Sequence, residues 1–121
     1  MSEVEKLVEV MKTLRSPEGC PWDREQTHQS LKKNLMEEAA EFLDAVEEQD
    51  HDGMLEELGD LLMHLVLHAQ IASENGHFNF EDVARLSKEK MIRRHPHVFG
   101  SEKIDNSAEV QKLWDRVKAT E

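Results

Sequence analysis

Two short groups of acidic residues are the candidates for metal chemistry. Glu38 and Glu41 are three residues apart, and so are Glu57 and Asp60. Residues three apart lie on one side of a helix, so each group would present two carboxylates from one helical face. Four carboxylates brought together raise one another's pKa values unless a cation joins them. Oxygen ligands suit Mg²⁺ or Mn²⁺, whereas zinc favours His or Cys.

The same acids have an ordinary explanation as a solvated helix face, because the chain contains 26 acidic residues. Glu57 and Asp60 nevertheless flank Leu58 and Leu61 in a strongly apolar segment. A charge without a partner is unfavourable in such surroundings. This apolar context favours the metal site over the solvated face.

Hydrophobic spacing predicts five helices that would carry these groups. Their predicted ranges are about 2–15, 27–50, 54–75, 81–94 and 107–121, with Ser2, Thr27 and Ser107 as caps. The segment 16–23 contains two prolines and a glycine and is predicted to be a loop. His51-Asp52-Gly53 is predicted to interrupt the second and third helices. Because that connection is short, the two helices should be antiparallel, which would bring the two acidic pairs together.

The second and third helices each have a predicted inward face. On the second helix it comprises Leu31, Leu35, Ala39, Phe42, Leu43 and Val46. On the third it comprises Leu55, Leu58, Leu61, Leu62, Leu65, Val66, Ala69 and Ile71.

Composition predicts a single all-α domain over residues 1–121. Hydrophobic residues make up 38% of the chain and aromatic residues 5%, with no tyrosine, so strand-forming residues are sparse. A core this thin favours burial against a second copy, as a homodimer or homotetramer. The lone Cys20 excludes an intramolecular disulfide.

Charge and hydropathy argue against two classes of partner. The net charge of −11 would repel a nucleic-acid backbone. No apolar stretch approaches the roughly 18 residues that span a bilayer. Residues 1–9 resemble neither a secretion signal nor a transit peptide. A soluble, cytoplasmic protein is therefore expected.

Two histidines extend the stripe of Glu57 and Asp60 along the third helix. His64 and His68 follow at one and two further turns. They would serve as outer metal ligands, as donors that orient a carboxylate, or as partly buried histidines paired with acids of the second helix. The last interpretation is favoured over direct ligation.

The ordered motifs resemble the MazG family of all-α nucleoside triphosphate pyrophosphohydrolases. The metal pattern of that family stands here as Glu37-Glu38-Ala39-Ala40-Glu41 and Glu57-Leu58-Gly59-Asp60. The segments 14–23 and 93–99 and the tail around Trp114 are also similar to the family. The resemblance implies a four-helix-type bundle with an extra C-terminal helix that assembles as a dimer or higher oligomer. It also implies Mg²⁺-dependent cleavage of a nucleoside triphosphate between the α and β phosphates.

Residue roles follow from the same resemblance. Glu38, Glu41, Glu57 and Asp60 would bind the metal. Lys90 and Arg94 would contact the triphosphate, while on position alone they and Arg93 would be read as cations at a helix C-terminus.

Other roles in catalysis and nucleotide binding stay open. Either Glu37 or Glu38 would be the general base. Trp22 or Trp114 would stack on the nucleobase, and Asn34 would hydrogen-bond the substrate. Burial of the indoles and solvation of Asn34 are the competing interpretations.

Two other functions remain open at this stage. One is a narrow-specificity dUTP or dCTP pyrophosphatase, which no residue separates from a broad enzyme. The other is a non-enzymatic acidic helical module that binds a partner through its surface.

Overall fold

The computed structural model describes all 121 residues, and every regular element in it is a helix. This confirms the predicted all-α class. The helices are α1 (Glu3–Leu14), α2 (Pro21–Glu25), α3 (Lys32–Glu47), α4 (His51–Glu74), α5 (Phe80–Arg93), α6 (Pro96–Phe99) and α7 (Ser107–Ala119). The chain divides into two compact units, residues 1–80 and 81–121. No helix has the length and apolar character needed to cross a membrane.

Helix α1 begins at the predicted cap. The Ser2 hydroxyl accepts a hydrogen bond from the Glu5 amide at 3.1 Å, and the Glu5 carboxylate accepts one from the Ser2 amide at 3.2 Å. This reciprocal capping box satisfies two backbone donors that a helix N-terminus otherwise leaves unpaired. The amphipathic helix that follows packs Leu7, Val8 and Met11 into the core of the first unit.

The connection between α3 and α4 differs from the prediction. Residues 51–53 form the first turn of α4, and the chain reverses at 48–50, where Gln49 adopts a positive φ of 54°. Asp50 caps α4 by accepting a hydrogen bond from the Gly53 amide at 3.0 Å. A Cβ on Gly53 would lie 2.5 Å from the Asp50 carboxylate. A side chain at this position would displace the capping carboxylate, so the glycine favours the cap, and it does not interrupt the helix.

Three other local predictions are wrong. Helix α3 begins at Lys32, because Thr27 caps a separate turn by accepting from the Ser30 amide at 3.0 Å. A short helix, α2, begins within the predicted loop at Pro21 and continues past it to Glu25, since proline is favoured in the first turn. The cap of α7 is Asn106, whose side chain accepts from the Glu109 amide at 3.0 Å.

The core of the first unit lies where α1, α4 and the turn before α3 meet. Leu31 is fully buried, at 0% exposure, and it packs with Met11, Val66, Leu67 and Ile71. Several residues predicted to face inward are instead exposed, because apolar spacing shows which residues share a helix face but not what packs against that face. These residues are Leu43 and Val46 of α3 and Leu55, Leu58 and Leu65 of α4.

One charged side chain joins three segments of the first unit. The Nε and Nη2 atoms of Arg15 donate to the two carboxylate oxygens of Glu74 at 2.8 and 2.9 Å. Its Nη1 donates to the backbone carbonyls of Asp23 and Gln26 at 2.6 and 3.1 Å. Arg15 thus ties the end of α1 to the end of α4 and to the α2 segment.

Replacing Arg15 with Met should lower the free energy of unfolding by about 2–4 kcal/mol, because hydrogen bonds of charged groups are worth about 1.5–3 kcal/mol and several are lost together. Urea denaturation measures this change. Lys33→Met is the matched control, since Lys33 forms an exposed ion pair with Glu37 at 3.8 Å, and such pairs contribute at most about 1 kcal/mol. An equal loss in both variants would contradict the role assigned to Arg15.

Candidate functional site

The antiparallel helices α3 and α4 bring carboxylates of both acidic groups together. Carboxylate oxygens of Glu38, Glu41 and Glu57 all lie within 4.8 Å of one another. Glu38 meets Glu57 near the turn, while His28 meets His68 farther from it. The pairing therefore runs in opposite directions along the two segments, as the short connection predicts.

Two oxygens of this cluster have no hydrogen-bond partner. The Oε2 atoms of Glu38 and Glu57 are buried and receive no donor from the chain. Buried acceptors are normally paired, so two adjacent unpaired carboxylate oxygens leave a place for a cation or a proton.

The pKa values of Glu57 and Glu38 are both raised, above all by burial. Burial, followed by contacts with Glu38 and Glu41, raises the pKa of Glu57 to about 7. Burial also raises the pKa of Glu38, and the charges of Asp60 and Glu41 add to that increase. The folded chain thus disfavours ionisation of the cluster when nothing positive is present.

Asp60 lies at the margin of the cluster. Its carboxylate interacts with Glu38 but does not belong to the closely spaced group of Glu38, Glu41 and Glu57. The structure therefore brings together three of the four predicted ligands and leaves the fourth beside them.

The donor chemistry of the cluster fits a hard divalent cation. All of its ligand atoms are carboxylate oxygens, and no His or Cys belongs to it. Mg²⁺ and Mn²⁺ prefer such ligands and commonly retain water or bind phosphate oxygens at their remaining positions.

The histidines of α4 lie in a separate arrangement. The Nδ1 atoms of His68 and His28 are 2.8 Å apart, and the two rings are stacked at 5° with centroids 5.1 Å apart. One nitrogen must donate and the other accept. Burial, then the neighbouring His28 and His64, lowers the pKa of His68, which favours the neutral ring. The predicted pairing of His68 with an acid of α3 is therefore wrong.

His64 is buried, and its Nδ1 has no hydrogen-bond partner. It does not belong to the carboxylate cluster.

The second unit contains a cluster of cations and aromatic rings. The Glu121 carboxylate accepts hydrogen bonds from Arg93 and from Arg94, and the Arg94 guanidinium lies 5.1 Å from the centroid of the Trp114 ring. The His95 ring meets Trp114 edge-on, with centroids 5.1 Å apart and planes at 78°. This cluster joins the end of α5 to α7.

The remaining predicted residues occupy varied positions. Asn34 and Trp22 are exposed on the first unit. The exposed Glu37 forms an ion pair with Lys33 at 3.8 Å. Lys90 is partly buried in α5 and forms no salt bridge.

Sequence reasoning missed His28 and Glu121. His28 lies in a turn before α3, 40 residues from its partner, and no local spacing marks it. Glu121 follows α7, and the only signal for it was a basic run that lacked a counter-charge.

Comparison with known proteins identifies the family. The MazG nucleotide pyrophosphohydrolase domain matches residues 26–99, more than half of the chain. The chain belongs to the MazG family. This match contains every residue of the carboxylate cluster.

Two curated relatives extend the MazG similarity over nearly the whole chain. The nucleoside triphosphate pyrophosphohydrolase/pyrophosphatase MazG of Thermotoga maritima is 55% identical over 117 residues, which cover 97% of this chain and 44% of that protein. The nucleoside triphosphate pyrophosphohydrolase of Escherichia coli is 43% identical over 122 residues, covering 100% of this chain and 46% of that protein. The chain thus spans less than half the length of these relatives.

A solved structure has the same MazG fold. The crystal structure of a mazG-related protein from Thermotoga maritima superposes with a TM-score of 0.77 at 31% identity, covering 95% of this chain and 98% of that one. The resemblance read from the motifs is confirmed for both family and fold.

Replacing Glu57 with Gln should stabilise the metal-free protein in a pH-dependent way. The folded-state pKa of Glu57 is raised from 4.5 to about 7, so the fold favours its neutral form. Its contribution to stability is present below pH 4.5 and is lost as the pH rises to about 7. The free energy of unfolding of Glu57→Gln minus that of the unchanged protein should therefore increase across this window and level off above it.

Chemical denaturation in a chelating buffer at several pH values measures this difference. The matched control is Glu56→Gln, an exposed neighbour on α4, for which the difference should stay nearly constant. A flat profile for Glu57→Gln would show that the cluster is not under repulsion.

Proposed function

We propose that this protein is a Mg²⁺-dependent nucleoside triphosphate pyrophosphohydrolase. It cleaves the substrate between the α and β phosphates and releases a nucleoside monophosphate and pyrophosphate. The observation that carries the proposal is the cluster of Glu38, Glu41 and Glu57, whose buried oxygens lack donors in a MazG chain. Curated relatives named nucleoside triphosphate pyrophosphohydrolases support the proposed reaction class.

The proposed metal ligands are Glu38, Glu41, Glu57 and Asp60. Bound Mg²⁺ would supply charge neutralisation and polarise a phosphoryl oxygen, and Mn²⁺ is the natural substitute because it prefers the same ligands. The acids themselves hold the metal on two helices joined by a three-residue turn. Rigid elements of this kind keep ligands in place better than loops do.

The triphosphate also requires cations from the protein. Lys90 and Arg94 are proposed to bind phosphate oxygens, with Arg93 beside them in the same run. Arginine suits this task because its planar guanidinium can bind two phosphate oxygens together.

A carboxylate next to the metal is proposed to activate the attacking water. Glu38 and Glu37 are the two candidates. Glu38 has an unpartnered oxygen within the cluster, whereas Glu37 is engaged by Lys33 at the surface. These contacts favour Glu38, and a general base needs to reach the water directly or through one further water.

Nucleoside recognition is assigned to aromatic and amide side chains. Trp22 is 53% exposed, which leaves its ring free to stack on a base. Trp114 already contacts Arg94, so a base stacked on it would lie close to a phosphate-binding cation. Asn34 is exposed on the α3 segment before Glu38 and is proposed to hydrogen-bond the substrate.

A panel of ribo- and deoxyribonucleoside triphosphates with Mg²⁺ tests the activity. The expected products are the monophosphate and pyrophosphate, identified by ³¹P NMR. Glu38→Gln and Asp60→Asn should each reduce kcat at least about a hundredfold, because each removes charge from the metal site. Glu56→Gln should keep full activity. Release of orthophosphate alone would refute the proposed cleavage position.

The same panel separates the alternatives. Turnover confined to dUTP or dCTP would indicate a narrow pyrophosphatase. A non-enzymatic module would show no turnover and no increase in Tm on addition of Mg²⁺ and nucleotide, whereas ligand binding to the folded state raises Tm.

We further propose that two copies of the chain associate through exposed apolar residues of α3 and α4. Leu55, Leu58 and Leu65 are 74%, 50% and 51% exposed and recur at helical spacing on α4. Exposed Met36 and Leu43 are seven residues apart on α3. Such stripes are unfavourable in water and are typical of association surfaces.

Sedimentation equilibrium tests the association. The unchanged protein should be a dimer or tetramer, and the double variant Leu55→Glu and Leu58→Glu should shift to monomer because it places charges in the apolar stripe. Val10→Glu is the control, since Val10 is an exposed apolar residue of α1. A monomeric unchanged protein would refute the proposal.

A further inference from the structure

Glu121 makes the densest set of charged contacts in the second unit. Its Oε1 accepts from Nη2 of Arg94 at 2.7 Å and from Nε of Arg94 at 3.2 Å. Its Oε2 accepts from Nε of Arg93. Hydrogen bonds from Arg94 and then Arg93 lower the pKa of Glu121 to about 2, so the carboxylate is charged at neutral pH.

The geometry of Arg94 leaves part of its guanidinium unused. An arginine side chain has two edges that can each bind a pair of oxygens, one formed by Nε and Nη2 and the other by Nη1 and Nη2. Glu121 occupies the first edge. These hydrogen bonds use Nε and Nη2 and do not involve Nη1, which belongs to the second edge.

Trp114 packs against the same Arg94 guanidinium. The Arg94 guanidinium lies over the indole at 5.1 Å from the ring centroid, and the His95 ring meets the same indole at an interplanar angle of 78°. Only 14% of the Arg94 side chain is exposed. A guanidinium that is already held by hydrogen bonds to a carboxylate and by contact with an aromatic ring loses little further conformational entropy when it binds an anion.

We infer that Glu121 is a positioning residue, which orients Arg94 so that its Nη1–Nη2 edge meets the phosphate oxygens of the substrate. The inference rests on the proposed function and deepens it, because it adds a carboxylate that acts through Arg94. Glu121 itself contacts no substrate. Its charge also offsets part of the repulsion between Arg93 and Arg94, which keeps two adjacent cations in one place.

A competing role for Glu121 predicts the opposite change in KM when Glu121 is removed. If Glu121 merely occupied the phosphate position, its removal would free Arg94 and lower KM. If Glu121 positions Arg94, its removal lets the side chain rotate away, and KM rises. The two arrangements are separated by the direction of one measured change.

A double-mutant cycle between Glu121 and Arg94 tests the inference. Glu121→Ala should raise KM for the triphosphate about tenfold with kcat changed less than about threefold, because a charge-assisted contact that orients the ligand-binding group is lost. Glu121→Gln keeps an acceptor oxygen and should raise KM about threefold. In an Arg94→Ala background, Glu121→Ala should change KM by less than about twofold, since no guanidinium remains to be positioned.

The control variant is Glu109→Ala on α7, where an exposed pair with Lys112 at 3.4 Å is removed instead. It should leave KM unchanged. A fall in KM for Glu121→Ala, an equal rise with and without Arg94, or no change at all would each overturn the inference.

A measurement independent of turnover separates this inference from the proposed function. In a ¹H–¹⁵N NMR spectrum, the Nε–H of Arg94 should be protected from exchange, and this protection should disappear in Glu121→Ala. Calorimetric titration with inorganic triphosphate and Mg²⁺ should show the same tenfold loss of affinity. If the unchanged protein hydrolyses no triphosphate but Glu121→Ala still binds inorganic triphosphate tenfold more weakly, the proposed function alone is refuted. Normal hydrolysis with unaltered affinity in Glu121→Ala would refute the positioning role alone.

Discussion

Repulsion between carboxylates is the constraint on which the first unit depends. Helices α3 and α4 hold Glu38, Glu41 and Glu57 closer together than free carboxylates would remain in water, and the raised pKa of Glu57, to about 7, reflects that. The hairpin can maintain this arrangement because Val66, Leu67 and Ile71 of α4 pack around the fully buried Leu31. The packing of the core therefore offsets a repulsion between carboxylates that a bound cation would relieve. Such stored repulsion is typical of binding sites, where a ligand rather than the chain completes the structure.

In the second unit, the neighbouring like charges are positive and not negative. Arg93 and Arg94 are neighbours in sequence, and their positive charges converge on the single carboxylate of Glu121. In the first unit like charges lack a counter-ion, whereas in the second the counter-ion is part of the chain. This difference matches the proposed ligands. A small hard cation needs several bare oxygens, while an extended phosphate needs cations whose directions are already fixed.

The sequence predicted the elements of this protein better than their packing. Hydrophobic spacing located the main helices, and the Glu-rich pairs of α3 and α4 identified three residues that do converge. Local polar chemistry was harder to predict. Asn106 competes with its neighbour Ser107 as a cap, and only the backbone geometry decides which side chain reaches an amide. Long-range partners such as His28 and His68 leave no local pattern. The exposed Leu55 and Leu58 read as core residues because periodicity shows an apolar face without showing what covers it.

The hydrogen bonds of Arg15 to backbone carbonyls affect which residues of the segment 16–26 can be substituted. Its Nη1 binds the carbonyl oxygens of Asp23 and Gln26, which are backbone atoms that any amino acid would supply. Arg15 thus anchors residues 23 and 26 independently of their side chains, and Arg24 within the segment adds hydrogen bonds to the carbonyls of Ser16 and Pro17. Residues such as Trp22, which is exposed within that anchored segment, are free to vary while the backbone path is preserved. A protein held this way can alter what the segment presents to a ligand by single substitutions, with little loss of stability.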